Sequence, residues 1–489
     1  MRDVEQIVGA LREGRAREAL TWVRALRDEG GAPAWRVNEL FAACFRQLGD
    51  AEGAAAALWR AAQADTVLRS QREHYSGYLF ALHYLPDISA EDLAQAARGY
   101  ARFYREPLQQ VSWQKKDSLQ LHVGFLAPHF CDSSSARFYE AMVVGLAEMG
   151  LEVSLYALSS REDAFTGRLR DEVSRYRDLS ALSLTAAAEV IRADGVDVLI
   201  DLGGHAEGGV TLMVLAHRPA PVQITAIGWI DSTGLDFVDG VLSDGVLAPE
   251  GSGEEAFFSE RLVCVPQGCL CFTPTQAMRE ARARMETITR ERLTFGCFQN
   301  FLKVNDAVLQ AFAEILRQAP SARLILQDVL PLAERADAVR ERCAQAGLPM
   351  DRVTVRPGRK DYLEDFEAVD VVLDTFPYPG GFMTALPCYL GLPVITIRGS
   401  HAWARFGAAV LTAMGQAGQV VEDVAAYIRQ AVHYATEPQA LSALRTAIRR
   451  DPEDGAYPMR TDREAYAKRL YAALHGFYHD KMKQLRQGE

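Results

Sequence analysis

Lys303 stands in the stretch "FGCFQNFLKVND", where an apolar run gives way to a helical pattern, with Asn300 and Gln299 three and four positions ahead of it. A lysine at a strand-to-helix junction acts as a point charge on phosphate. Taken alone, the segment reads first as a solvated lysine at a helix start. Further along, "DTFPYPGGFMTALPCYLGLPVITIRGS" runs from an apolar strand through Pro377, Pro379, Gly380 and Gly381 into a helix and a second strand. That order presents backbone N–H groups to an anion. The residues after the glycines are Phe382, Met383 and Thr384, so only the third offers a hydroxyl. "DLGGHAEGG" (201–209) sets four glycines around His205, and "APHFCDSSSARF" (127–138) holds His129 and a choice of N-cap residues from Asp132 to Ser135. Histidine is the side chain suited to proton transfer near neutral pH. His205, between two glycine pairs, is therefore read as lying at a reacting centre, and His129 as a second catalytic candidate; a structural hydrogen-bonding role is the alternative for each.

No G-x-G-x-x-G and no G-x-x-x-x-G-K-[ST] occurs, so the signal is the set: one lysine, two glycine turns and a helix N-terminus. That set suits a diphosphate held without a metal. Cys264, Cys269 and Cys271 lack a His or Cys pair at zinc spacing, so no metal site is expected from them.

These residues need elements to carry them. A chain of 489 residues, 49% apolar and 24% charged, is expected to form two or three globular domains. The net charge of −11 argues against a sequence-independent grip on nucleic acid. No apolar run approaches the roughly 20 residues of a membrane span, and the charged N-terminus has no apolar core of a signal peptide, so a cytoplasmic protein is expected. Residues 1–115 carry helical periodicity; "GRAREALTWVRALRDEG" and "GDAEGAAAALWRAAQAD" superpose at an offset of 35, close to the tetratricopeptide period. With two imperfect copies, a helical cap is favoured over a free-standing array. Strands and helices alternate over 118–275 and again over 290–489, where the last stretch, from 421, turns helical; 273–291 is the expected linker. The fold class is α/β, with two Rossmann-like lobes after an all-α domain, and ligands are expected at the carboxyl ends of the strands, in a cleft between lobes.

From about residue 74 to 475 the chain resembles the bacterial relatives of the protein O-linked N-acetylglucosamine transferases, glycosyltransferase family 41. The resemblance rests on "YLFALHYLPDISAEDL", "IRADGVDVLIDLGGHAEGG", "HRPAPVQITAIGW", "STGLDFVDGVLSD", "FFSERLVCVPQGCLCFTP", "FGCFQNFLKVND", "LDTFPYPGG" and "GSHAWARFGAAVL" in that order. It implies a GT-B fold, tetratricopeptide repeats, and inverting, metal-independent transfer of GlcNAc or another hexose from a UDP-sugar to a protein side chain. By position, Lys303 matches the lysine on the donor diphosphate, Gln299 and Asn300 the polar pair before it, and Tyr362 a ring stacked on uracil. Gly380, Gly381 and the helix opening with Phe382, Met383 and Thr384 match the pyrophosphate cradle. The departures are Phe382 and Met383 for threonines, Leu386 for an aspartate, Ser133 for a histidine, and His129-Phe130 for Asp-Phe. They leave two readings open, an active enzyme with altered sub-sites and an impaired member that serves as a client-binding or partner subunit; an epimerase of the same shape fits only by analogy of fold. No separate cofactor is implied. The partners implied are the UDP-sugar and a protein acceptor, of which a bacterial surface or flagellar protein is one example, with oligomer formation left open.

Overall fold

The computed structural model describes residues 3–104, 113, 120–249, 251–285, 292–449 and 462–487. The chain divides into two compact units, the first bounded by Met1–Val67, Ala81–Ile88 and Pro274–Met459, the second by Leu68–Phe80, Ser89–Thr273 and Arg460–Glu489.

The first unit opens with helices α1 (Val4–Arg12), α2 (Ala16–Asp28), α3 (Ala34–Leu48) and α4 (Ala51–Ala64). The two copies of the repeated pattern become α2 and α4. Ala19, Val23 and Leu26 are buried in one, and Ala54, Leu58 and Ala61 at the matching positions of the other. Gly49 ends α3 in the left-handed region, and Asp50 caps α4 by accepting the Gly53 N–H at 2.7 Å.

The second unit begins in α5 (Leu68–Leu82) and takes α6 (Ala90–Tyr100), then the first strand–helix series. Its elements are β1 (Val123–Ala127), α7 (Ala136–Glu148), β2 (Val153–Ala157), α8 (Ala164–Glu172), β3 (Arg175–Asp178), α9 (Leu184–Asp194), β4 (Val198–Asp201), α10 (Val210–Leu215), β5 (Val222–Thr225), β6 (Gly240–Ser243) and β7 (Arg261–Cys264). The sheet is parallel, in the order β3-β2-β1-β4-β5-β6-β7. Strands β1, β2, β4, β5 and β6 are buried at every position, as expected of a parallel sheet covered on both faces.

The chain then returns to the first unit through α11 (Gln276–Met285), β8 (Thr294–Phe298), α12 (Asp306–Gln318), β9 (Arg323–Gln327), α13 (Ala333–Gln345), β10 (Val353–Arg356) and β11 (Val371–Leu373). It continues with α14 (Phe382–Tyr389), β12 (Val394–Ile397), α15 (Phe406–Ala413), β13 (Val420–Val421), α16 (Val424–Thr436) and α17 (Pro438–Arg449). This sheet runs β10-β9-β8-β11-β12-β13, also parallel. Its core joins Phe295, Cys297, Leu324, Leu326, Val371, Leu373 and Ile395 from the strands to Val308, Phe312, Val339 and Tyr427 from the covering helices. Finally α18 (Arg463–Gln487) belongs to the second unit, where the Tyr466 hydroxyl donates to the Cys269 carbonyl at 2.9 Å.

Two expectations change. Within the 273–291 linker, 276–285 form α11, because Met278, Ala281 and Met285 recur at helical spacing and are buried; 286–291 lie outside the described residues. The N-terminal helices, expected as one domain over 1–115, are shared between the units. The cause is visible in their contacts: the Arg335 guanidinium donates to the Arg46 carbonyl in the first unit, whereas Ser76 and Tyr100 close on His205 in the second.

Arg335 also forks onto Asp328 at the end of β9, at 2.5 and 2.7 Å, with both side chains almost wholly buried. Removing one member leaves an unpaired buried charge. Arg335→Met is expected to cost about 3–5 kcal/mol of stability, measured by urea unfolding of the purified protein; a loss below about 1 kcal/mol would show that the pair adds nothing beyond a surface contact.

Candidate functional site

In the first unit the carboxyl ends of β8, β11 and β12 converge on Asp374. Its Oδ1 accepts the Gln299 amide at 3.0 Å, the Thr375 N–H at 2.9 Å and the Gly380 N–H at 2.8 Å. Its Oδ2 accepts the hydroxyls of Thr384 at 3.1 Å and Thr396 at 3.0 Å. The Asp374 carbonyl takes the Tyr427 hydroxyl at 2.8 Å, which ties the turn to the core. Burial pushes the carboxyl up from its ordinary range, against the bonds from Gly380, Thr396 and Thr375 and the nearby Lys303 charge. One side chain thereby fixes the Gly-rich turn to three strands and to the first turn of α14.

That turn tolerates nothing larger at Gly380, where an added Cβ would lie 2.2 Å from both Gln299 Nε2 and Thr384 Oγ1. Gly381 precedes α14 without a side-chain cap, and a Cβ there would meet Phe406 at 2.7 Å. Gly381, Phe382 and Met383 are partly exposed, whereas Thr384 is buried and committed to Asp374. The N-terminus of α14 is thus open at the residues the sequence marks as substituted.

Lys303 closes a single 3₁₀ turn, Phe301–Lys303, capped by Asn300, whose Oδ1 accepts the Leu302 N–H at 3.1 Å. Its Nζ donates to the Pro379 carbonyl at 2.6 Å and lies 4.0 Å from the centre of the Tyr378 ring. Burial pushes the ammonium down to about 8, and Asp374, then Cys297, oppose that fall. The lysine is therefore beside the glycine turn before any ligand is considered. Asn305 adds a second tie, capping α12 through the Val308 N–H at 2.9 Å and donating to the Phe376 carbonyl at 2.7 Å. Tyr362 and Phe382 meet edge to face with ring centroids 6.3 Å apart. Lys303, Gln299, Asn300, Tyr362 and the Gly380–Thr384 turn all lie in this unit, but Gln299 and Asn300 spend their side chains on support.

In the second unit His205 is 1% exposed. Its Nε2 faces the Thr233 carbonyl at 3.0 Å and its Nδ1 the Ser76 hydroxyl at 3.0 Å. A carbonyl can only accept, so Nε2 carries the proton and Nδ1 accepts from Ser76. Tyr100 and Trp229 cover the ring edge to face. Both nitrogens are hydrogen-bonded within the protein and the ring is buried. The adjacent Gly204 is at φ +53, where a Cβ would strike Trp229 at 2.1 Å.

His129 accepts the Cys131 N–H on Nδ1 at 3.2 Å and turns Nε2 to Glu207 at 3.3 Å. Glu207, absent from the sequence candidates, is a non-glycine residue at φ 47, and its side chain is 57% exposed. Such a backbone is costly for a residue with a Cβ; its one sign in the sequence is its place before Gly208 and Gly209. The Ser133 hydroxyl oxygen accepts the N–H of Ala136, the first residue of α7, at 3.2 Å. Among the described residues no group of three or more His, Cys, Asp and Glu is arranged to hold a metal ion, and no helix is long and apolar enough to cross a membrane.

The sequence model of glycosyl transferase family 41 matches residues 100–287 and 272–457. The chain belongs to that family. Among family 41 relatives, the probable UDP-N-acetylglucosamine–peptide N-acetylglucosaminyltransferase SPINDLY of Petunia hybrida is 32% identical over 385 residues, 76% of this chain and 41% of its own. The Arabidopsis thaliana protein of the same name is 32% identical over 387 residues, again 76% of this chain and 41% of its own. The chain thus spans well under half the length of these plant relatives. A mutant of the Thermobaculum terrenum O-GlcNAc transferase superposes with a TM-score of 0.85 at 25% identity, covering 99% of this chain and 91% of that one. Two parallel-sheet Rossmann-like lobes with helices before them, matched in this way, make the family 41 chain a GT-B protein.

Gly380→Ala is expected to lower stability by about 1–3 kcal/mol, since neither Gln299 nor Thr384 can move without leaving Asp374. Gly418→Ala, with open space around the added Cβ, is expected to stay within about 1 kcal/mol of the native protein. Thermal melts of the two variants compare them; equal melts would mean that the turn is not held by Asp374.

Proposed function

We propose that the protein transfers a sugar, GlcNAc or another hexose, from a UDP-sugar to a protein side chain, with inversion at the anomeric carbon and without a bound metal ion. The observation that carries this reading is the placement of Lys303 Nζ, 2.6 Å from the Pro379 carbonyl, beside the open N-terminus of α14. As the bond between the sugar and the diphosphate breaks, negative charge grows on the leaving phosphate. A lysine and helix N-terminal amides stabilise it there without a metal. In balance, the acceptor oxygen or nitrogen bonds to the anomeric carbon, the carbon–oxygen bond to UDP breaks, and the acceptor proton leaves to a base. The plant relatives, probable UDP-N-acetylglucosamine–peptide N-acetylglucosaminyltransferases, support the donor and acceptor classes. The N-terminal helix pairs serve as a tetratricopeptide-like cap for clients.

Phe382 is taken to reshape the donor site, its ring standing against Tyr362 where the resemblance implies uracil stacking. In the second unit the His129–Glu207 pair is offered as a group that takes a proton, with the carboxylate as its exposed end. A second reading, an impaired member acting as a partner subunit, is favoured by Ser133, which stands in place of a histidine and whose hydroxyl oxygen accepts the Ala136 N–H.

Radiolabelled UDP-GlcNAc, UDP-glucose and, as control, GDP-sugars are incubated with the protein, EDTA and a bacterial protein extract. Label is expected in protein from a UDP-sugar, reduced about 100-fold or more by Lys303→Met, with donor preference altered by Phe382→Thr. Label from none of the donors would transfer the weight to the partner-subunit reading. Label from a GDP-sugar alone would overturn the nucleotide, and unchanged labelling in Lys303→Met would remove the lysine from the mechanism.

A further inference from the structure

Tyr378 sits between the two prolines of the turn, and its ring is held on several sides. Tyr84 meets it with centroids 5.2 Å apart, Trp403 at 5.9 Å and 90°, and His83 at 6.1 Å. His83 and Trp403 also meet each other edge to face at 5.5 Å. All four belong to the first unit, although His83 and Tyr84 come from the short segment Ala81–Ile88, far ahead in the chain. The backbone is fixed as well, since the Thr375 hydroxyl donates to the Tyr378 carbonyl at 2.8 Å. Trp403 is 2% exposed, and its indole N–H has no hydrogen-bond partner among the described residues. An indole that forgoes its one polar bond is present for its ring.

What the ring faces is the Lys303 ammonium, 4.0 Å from its centre. An ammonium withdrawn from water recovers part of its lost hydration from the negative face of an aromatic ring, and the recovery is larger where water is excluded. We infer that Tyr378, braced by His83, Tyr84 and Trp403, is the positioning residue that sets the Lys303 ammonium against the Gly380–Gly381 turn and keeps it charged for an anionic ligand. The inference rests on the donor-site reading above and adds the residue on which the lysine depends.

The groups around the ammonium are Asp374 after β11, Cys297 in β8, the Tyr378 ring and the Pro379 carbonyl, with His83 against that ring at 6.1 Å between centroids. Burial works against the charge, and Asp374 works for it. A diphosphate selects the protonated lysine, which is present below about pH 8 and lost above it. Removing the ring takes away support for the charged form, so the loss begins at lower pH.

Calorimetric titration of UDP into the native protein, Tyr378→Phe and Tyr378→Leu across the neutral to alkaline range tests this. Affinity of the native protein is expected to fall as pH rises through about 8. Tyr378→Leu should bind about tenfold more weakly near neutral pH, with its fall at lower pH, and Tyr378→Phe, which restores the ring, should bind within about threefold of native. A Leu variant with native affinity and native pH dependence overturns the inference, and so does a Phe variant as weak as Leu. Circular dichroism confirms that each variant is folded. Failure of the native protein to bind UDP would count against the donor-site reading instead. In that case NMR titration of ¹⁵N-lysine-labelled native and Leu proteins decides the inference: a lower Lys303 midpoint in the Leu variant supports it, and equal midpoints overturn it.

Discussion

A carboxylate taken out of water must be given back its hydrogen bonds, and Asp374 receives them from Gln299, Thr375, Gly380, Thr384 and Thr396. Left unpaired, a buried ion costs several kcal/mol, so these donors are held as firmly as they hold the acid. They arrive from the end of β8, the turn after β11, the first turn of α14 and β12. That one constraint explains why Gly380 admits no Cβ, why Thr384 is buried while Phe382 and Met383 are open, and why the Pro379 carbonyl is where Lys303 can reach it. The chemistry proposed for the turn depends on amides held in place by an acid that need not touch the ligand.

The alternation of strands and helices was legible because parallel strands covered on both faces are continuous apolar runs, such as Val123–Ala127 and Val198–Asp201 with their buried positions. Where that signal fails, so does the reading. Strand β3 is an edge strand, with Arg175, Arg177 and Asp178 on its exposed length, and charge at an edge is how a sheet avoids a further partner. Helix α15 is apolar around its whole circumference, so it lacks the stripe that marks a surface helix. Tyr362–Ala368 is a 3₁₀ element, whose hydrogen-bond pattern periodicity over so few residues does not distinguish from that of an α-helix.

At the site, Lys303, Gly380 and Gly381 were recognisable by residue type and position. The role of Asp374 was not legible, since it needs Gln299 and Thr396 from other strands as well as the nearby donors Thr375, Gly380 and Thr384. Tyr378 carried no sequence signal, because an aromatic residue between prolines is common in a turn. His205 shows what surrounding glycines can accommodate. Glycines on both sides suggested close approach of a ligand, whereas what approaches is protein: Trp229 against Gly204, and Ser76 and Tyr100 against Gly209. A histidine that donates to Thr233 and accepts from Ser76 ties together distant parts of the second unit.

The central claim is that the turn held by Asp374, together with Lys303, binds the diphosphate of a nucleotide donor. The most direct measurement compares UDP, UMP and uridine by calorimetric titration in EDTA at neutral pH. The account predicts saturable binding of UDP at least about tenfold tighter than that of UMP, because the second phosphate carries charge-assisted contacts to amides and ammonium. Equal affinity for UDP and UMP, or no binding of either by the folded protein, would contradict it.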